Sequence, residues 1–245
     1  MRILTIDTSA VASAALLHFD PADHLRTVEV VANFATEDTR SHAEVLAPGV
    51  QSLFTEPVNE GPALDAIIVG TGPGPFTGLR AGIAMARTLS FTWNIPLYGL
   101  MSLDALAQQV FDAPRKNDAG RAVGPLAMND FIIATDARRK EVYWARYSAG
   151  AQLLDGPHVG PADGVPALQV FGAGAGLYRD VLEANGAGVY PLFADAQPTA
   201  VELGRAAARK IIAAGSLEGA GLLDSTPLYL RESDAKVPGP RKRAL

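Results

Sequence analysis

Ala66-Ile67-Ile68-Val69-Gly70-Thr71-Gly72-Pro73-Gly74-Pro75-Phe76-Thr77-Gly78-Leu79-Arg80 decides the fold. A short β-branched strand runs into a loop of alternating Gly and Pro, and an alanine-rich helical run follows with Thr77 positioned to cap it. Glycine admits positive φ and close backbone approach, proline stiffens the turn, and a helix start offers unpaired N–H groups. Such a turn either cradles an anion or packs tightly on its own chain. The Walker A pattern fails because no Lys follows a second Gly, and Gly-x-Gly-x-x-Gly fails because Thr77 stands where the third Gly belongs. A Gly-x-Ser-x-Gly elbow is also missing.

Downstream of the turn, the helix from Thr77 to about Trp93 carries Gly78, Gly82 and Ala86 at four-residue spacing. That makes a flat stripe usable for internal packing or for a subunit contact, with Leu79, Ile83, Leu89 and Phe91 supplying apolar contacts elsewhere. Upstream, residues 41–54 read as a helix. Ser41-x-x-Glu44 is a capping box, Val45, Leu46, Val50, Leu53 and Phe54 share one face, and Pro48 introduces a kink. His42 falls in its first turn, beside the positive end of the dipole.

Residues 2–7, 12–18 and 25–31 read as the three strands of a meander. Asp7 ends the first, next to Thr8 and Ser9, where a carboxylate can hold a hydrated metal and phosphate or cap its own turn. A short strand over 94–99 and a helix over 103–111, capped by Ser102, complete a first half at 1–111. Residues 112–129 read as a linker. The second half, 130–231, opens as the first does: Phe131–Asp136 ends a strand on an aspartate and Glu141–Tyr147 returns, a weak internal repeat that suggests duplication. Gly172-Ala173-Gly174-Ala175-Gly176 is another strand-to-helix turn, with Leu177 where a dinucleotide fingerprint needs its third Gly. Thr199-x-x-Glu202 caps a helix to Ala214 with Gly215 as its stop. Residues 232–245 form a basic tail expected to be solvated and disordered, or to touch RNA phosphates.

The 245 residues contain no cysteine, which excludes thiolate chemistry and iron–sulfur ligation. His18, His24, His42 and His158 match no His-x-x-x-His or His-Glu-x-x-His spacing, so no local metal site is expected. At 48% apolar and 19% charged residues the chain is globular, and no apolar run reaches the ~18 residues of a membrane span. A cytoplasmic location is the default expectation. The net charge of −5 argues against strong binding of a nucleic-acid backbone by this chain alone.

Taken together, the segments Ile3-Leu4-Thr5-Ile6-Asp7-Thr8-Ser9, His42-Ala43-Glu44-Val45-Leu46-Ala47-Pro48, Gly72 to Gly82, Asp136-Ala137-Arg138-Arg139-Lys140-Glu141-Val142-Tyr143 and Tyr229-Leu230-Arg231 resemble the TsaB-type dimerisation subunits of the bacterial tRNA threonylcarbamoyladenosine system. Pro75 stands where Ser is usual, and His42-Ala43-Glu44 where His-Ser-Glu is common. The resemblance implies an α/β fold of the actin, sugar kinase and Hsp70 (ASKHA) type, with two duplicated ribonuclease-H-like halves around a cleft. It implies a non-catalytic subunit, without catalytic or metal-binding residues of its own. Its expected partners are a catalytic TsaD-type paralogue, a TsaE-type ATPase, a second copy of the chain as a homodimer, and tRNA through the complex, with no membrane.

The partner interface implied is His42, Val45, Leu46, Val50, Leu53, Gly78, Gly82, Ile83 and Ala86. Asp7, Thr8, Ser9, Gly72 and Gly74 are the implied nucleotide or phosphate residues. No cofactor is expected to bind tightly, and ATP or ADP with Mg²⁺ would enter only within the complex. A phosphotransferase of the same fold, with Asp7 holding Mg²⁺, is the alternative; a metallopeptidase is opposed by the histidine spacing.

Overall fold

A computed structural model describes residues 1–22, 27–37, 42–116 and 120–231. The first half runs β1 (Arg2–Asp7), β2 (Ser13–Phe19), β3 (Val28–Ala35), α1 (His42–Gln51), α2 (Pro57–Glu60), β4 (Ala66–Gly70), α3 (Phe76–Trp93), β5 (Leu97–Leu100) and α4 (Ser102–Asp112). A hairpin follows, β6 (Pro114–Lys116) and β7 (Ala122–Pro125). The second half is β8 (Phe131–Asp136), β9 (Glu141–Tyr147), β10 (Leu153–Pro161), β11 (Gln169–Phe171), α5 (Ala173–Leu177), α6 (Arg179–Ala184), β12 (Gly188–Val189) and α7 (Ala200–Ala214).

The duplication is explicit in the sheets. The first has order β3-β2-β1-β4-β5 and the second β10-β9-β8-β11-β12. In each, the first three strands in sequence pair antiparallel as a meander and the last two add in parallel. This is the duplicated ribonuclease-H-like α/β architecture of the actin, sugar kinase and Hsp70 type.

Because side chains alternate across a strand, each central strand feeds two cores. On β1, Ile3 faces α7 while Leu4 and Ile6 face α1 and α3. On β8, Phe131 and Ile133 face α4, and Ile132 and Ala134 face α5 and α6. Two helices, α4 and α7, are exchanged. α4 leaves the first sheet and packs Leu103, Leu106, Ala107 and Val110 against Phe131, Ile133 and Tyr147 of the second. α7 ends the second half and packs Leu203, Ala206, Ala207 and Ile211 on Ile3, Leu17 and Ile68 of the first. Hydrogen bonds fix that second docking: Thr5 Oγ1 donates to Ala200 O at 2.6 Å, and Ser13 Oγ accepts from Ala200 N at 3.0 Å.

Several local expectations shift. Thr77 does not cap α3, which starts at Phe76 after Pro75 without a side-chain cap. Ser102 lies inside α4 and accepts from Gly72 N at 3.1 Å, so it ties the Gly-Pro loop instead of capping. β3 starts at Val28 and runs to Ala35, and the stretch read as a linker contains β6 and β7. Thr199 does cap α7, accepting from Glu202 N at 3.5 Å. Ser41, and the tail at 232–245, lie outside the described residues.

Candidate functional site

The strand ends of both sheets converge on one cleft. Asp7 ends β1 and Asp136 ends β8, and each carboxylate accepts a backbone N–H two residues on, from Ser9 and Arg138 respectively, both at 2.8 Å. Ser9 Oγ adds a second bond to Asp7 Oδ1 at 2.7 Å, whereas the second bond at Asp136 is an ion pair to the Arg138 guanidinium at 3.2 Å. The two turns are therefore structural repeats with different chemistry, hydroxyl in one and guanidinium in the other.

A cavity of about 120 Å³ lies between them, with Ser9 and Pro75 on one wall, Thr135, Asp136 and Arg138 on the other, and Gln197 at the back. Asp7 itself is fully buried, and its Oδ2 faces Gly70 and Ser102, since a Cβ on Gly70 would sit 1.9 Å from it. The glycines of the loop serve close approach. Gly72 takes φ +98° while exchanging backbone and side-chain bonds with Ser102, and a Cβ on Gly74 would meet Ser9 O at 2.6 Å. Of the sequence-derived nucleotide set, Asp7, Thr8, Ser9, Gly72 and Gly74 are brought together, but Asp7, Thr8, Gly72 and Gly74 are spent on internal contacts and Ser9 alone lines the cavity.

The partner set is rearranged more strongly. Leu46, Val50, Leu53, Ile83 and Ala86 sit in one core with Leu4, Ile6 and Ile67, and Gly78 and Gly82 are buried. A Cβ on Gly82 would lie 2.3 Å from Thr8 Oγ1, which itself donates to Gly78 O at 2.7 Å. The small-residue stripe therefore lets α3 descend onto the end of β1, and within this chain these residues pack inward. Val45 is half-buried, and the His42 side chain lies outside what the structure describes.

The outward side of α3 is what a partner can touch. Ala84, Thr88, Phe91 and Thr92 are exposed, Phe91 at 90%, with Met85 and Leu89 half-buried beside them. α1 adds Ala47, Pro48 and Gln51 on its exposed side. Phe91, read from the sequence as one of the apolar contacts away from the stripe, falls with Ala84 and Thr88 on the side opposite Gly78 and Gly82, as helical periodicity groups them.

A segment at 222–231 straps this region. Leu223 exchanges backbone bonds with Gly99, and Leu228 N donates to Thr71 O at 2.8 Å. Arg87 donates to Ser225 Oγ and O, both at 3.0 Å. Tyr229 rests on Phe76 at 4.8 Å between ring centroids, and Arg80 lies 3.7 Å over the Phe76 ring while donating to Tyr229 Oη. Arg231 then crosses to the other half, pairing with Glu141 and donating to Ala137 O at 3.0 Å. The Tyr229-Leu230-Arg231 and Asp136–Tyr143 segments, distant in sequence, thus meet at the cleft. Among the described residues no three His, Asp or Glu side chains converge as a metal site would need, and no helix is long and apolar enough to cross a membrane.

These features define a two-lobed protein of the actin, sugar kinase and Hsp70 type with a small cavity between its strand ends and an exposed α1/α3 side that carries Phe91. Residues 29–161, more than half of the chain, match the family described as TsaD, tRNA N6-adenosine threonylcarbamoyltransferase. An uncharacterised protein of Mycobacterium tuberculosis is 40% identical over 176 residues, covering 70% of this chain and 72% of that protein. The tRNA threonylcarbamoyladenosine biosynthesis protein TsaB of Escherichia coli is 35% identical over 147 residues, 60% of this chain and 55% of that one. The crystal structure of YeaZ from Pseudomonas aeruginosa superposes with a TM-score of 0.68 at 26% identity, covering 94% of this chain and 99% of that one. The chain belongs to this family, as a member of the TsaB/YeaZ type.

Proposed function

We propose that this chain is an assembly subunit of tRNA threonylcarbamoyladenosine synthesis, pairing through the outer sides of α1 and α3 with a catalytic TsaD-type paralogue. The observation that carries the reading is the exposed apolar side of α3, centred on Phe91 at 90% exposure, in a chain of this family. A large aromatic ring left almost wholly in water on a rigid helix is the kind of anchor that interfaces use. The pathway follows from the names of the TsaB relatives in Escherichia coli and Bacillus subtilis.

The non-catalytic role is supported by the missing His-x-x-x-His spacing and by the buried, hydrogen-bonded state of Asp7, which is not presented to the cleft. On this reading no cofactor binds tightly, a TsaE-type ATPase brings ATP and Mg²⁺ chemistry to the complex, tRNA is met through the complex, and the isolated chain pairs with itself through the same surface. The test is reconstitution: the chain mixed with the cognate TsaD-type and TsaE-type proteins, tRNA, ATP and a threonylcarbamoyl donor. Modified adenosine should form only when this chain is present, and Phe91→Glu should abolish both co-elution with the paralogue and product. Full product without this chain, or ATP hydrolysis by the chain alone at the complex's rate, would overturn the proposal.

A further inference from the structure

Away from the cleft and the α1/α3 side, a cavity of about 340 Å³ lies between the C-terminal end of α4, the middle of α7 and β3. We propose that it binds a small organic carboxylate with an apolar body. The proposal does not depend on the role in tRNA modification.

The cavity reaches the lower end of the range found for metabolite sites. α4 and α7 run antiparallel here, since Asp104 meets Lys210 at one end while Asp112 lies near Glu202 at the other. The apolar wall is Val28 from β3, Phe111 from α4 and Ile212 from α7. Arg205 and Arg209 also line it, four residues apart and so on the same face of α7. Like charges at that spacing repel, and an anion between them relieves the repulsion.

Both guanidiniums are held in place. Arg209 donates to the carbonyls of Gly150 and Ala151 at 2.7 and 3.0 Å and lies 4.7 Å over the Phe111 ring, and Arg205 donates to Glu202 Oε1 at 2.9 Å. A planar fork fixed by its surroundings suits a planar carboxylate better than a spherical ion. Gln108 also lines the cavity, is 4% exposed, and its Oε1 has no hydrogen-bond partner.

Asp112 is the acidic lining residue, so two cations face one carboxylate across the lining. Glu202, behind Arg205, is held above its usual range chiefly by burial, with Arg205 pulling the other way and Asp112 adding to the rise. The lining draws on both halves, β3 and α4 from one and α7 from the other. A bound carboxylate would bridge them and raise the unfolding temperature of the whole chain.

The experiment titrates the full chain with phenylacetate and hexanoate, and in parallel with phenylacetamide, acetate and inorganic phosphate, reading NMR shifts and the thermal midpoint. Arg205→Met removes one cation, and Val28→Phe fills the apolar wall while keeping every charge. Phenylacetate or hexanoate should bind saturably and raise the midpoint, and phenylacetamide should not. Arg205→Met should weaken binding about tenfold or more, and Val28→Phe should abolish it with the fold intact. Three results overturn the proposal: no saturable binding of either carboxylate up to about 10 mM, acetate or phosphate binding as tightly, or binding unchanged in Val28→Phe.

Discussion

Replacing Gly82 separates two readings of the small-residue stripe on α3. A Cβ there falls 2.3 Å from Thr8 Oγ1 and 3.2 Å from its Cγ2, and Thr8 is only 1% exposed. The threonine cannot rotate away without breaking the 2.7 Å bond from its Oγ1 to Gly78 O. Forcing a methyl into such a site costs about 1–3 kcal/mol of strain, and stranding the buried hydroxyl adds about 1–3 kcal/mol. The better helix propensity of alanine returns about 1 kcal/mol.

Gly82→Ala should therefore destabilise the isolated chain by about 1–5 kcal/mol, a fall in thermal midpoint of about 2–20 °C at this chain length. Deleting the obstacle should rescue it: in a Thr8→Ala/Gly82→Ala double-mutant cycle the coupling should be on the order of 1–2 kcal/mol. Urea and thermal unfolding of the four proteins measure it directly. If Gly82→Ala unfolds at the wild-type midpoint, shows no coupling to Thr8 and instead loses its partner, the stripe is an interface and the inward reading of α3 is wrong.

Phe91→Glu, on the opposite side of the same helix, should change monomer stability by less than about 0.5 kcal/mol while abolishing pairing, as read by denaturation and sedimentation. Asp104 is held above its usual value of 3.8 chiefly by burial, against the pull of Lys210 and the Tyr147 hydroxyl bonded to it at 2.8 Å. The folded state therefore binds the extra proton, so this carboxylate's contribution is fully present below about pH 4 and is lost as pH rises through the raised value. Asp104→Asn should accordingly gain stability relative to wild type between pH 4 and 7, and a constant difference across that range would contradict the assignment. Arg231→Ala should release the strap, so that the Leu223 and Leu228 amides exchange faster with deuterium while β1 and β8 amides do not.

The central strands were legible because β1 and β8 are buried at all but one residue each and each ends on an aspartate in a tight turn, a signal strong enough to expose the duplication. α7 was legible from its Thr199 cap and its apolar face. β10 was not: Asp155, Gly156, Pro157 and Pro161 read as turn residues, and the strand tolerates them because it lies at a sheet edge with two register shifts. β3, the corresponding edge of the first sheet, alternates between half-buried and exposed positions, which blurred its ends.

For the candidate site, periodicity grouped Gly78, Gly82 and Ala86 correctly on one face but could not say what lies against that face. Only Thr8 at the end of β1, 74 positions before Gly82, determines that it points inward. The strap and the α4/α7 cavity were equally out of reach, since each is assembled from segments separated by most of the chain.

The exchange of α4 and α7 has a consequence for how the chain can be divided. Each half carries the helix that covers the other half's sheet, so a cut between β6 and β7 would yield two pieces, each exposing an apolar face the other was built to fill. Neither piece should hold its shape alone, yet mixed they should reassemble. A half-length ancestor with this arrangement would have been obliged to trade helices with a twin, and the present chain carries that partnership within a single covalent strand.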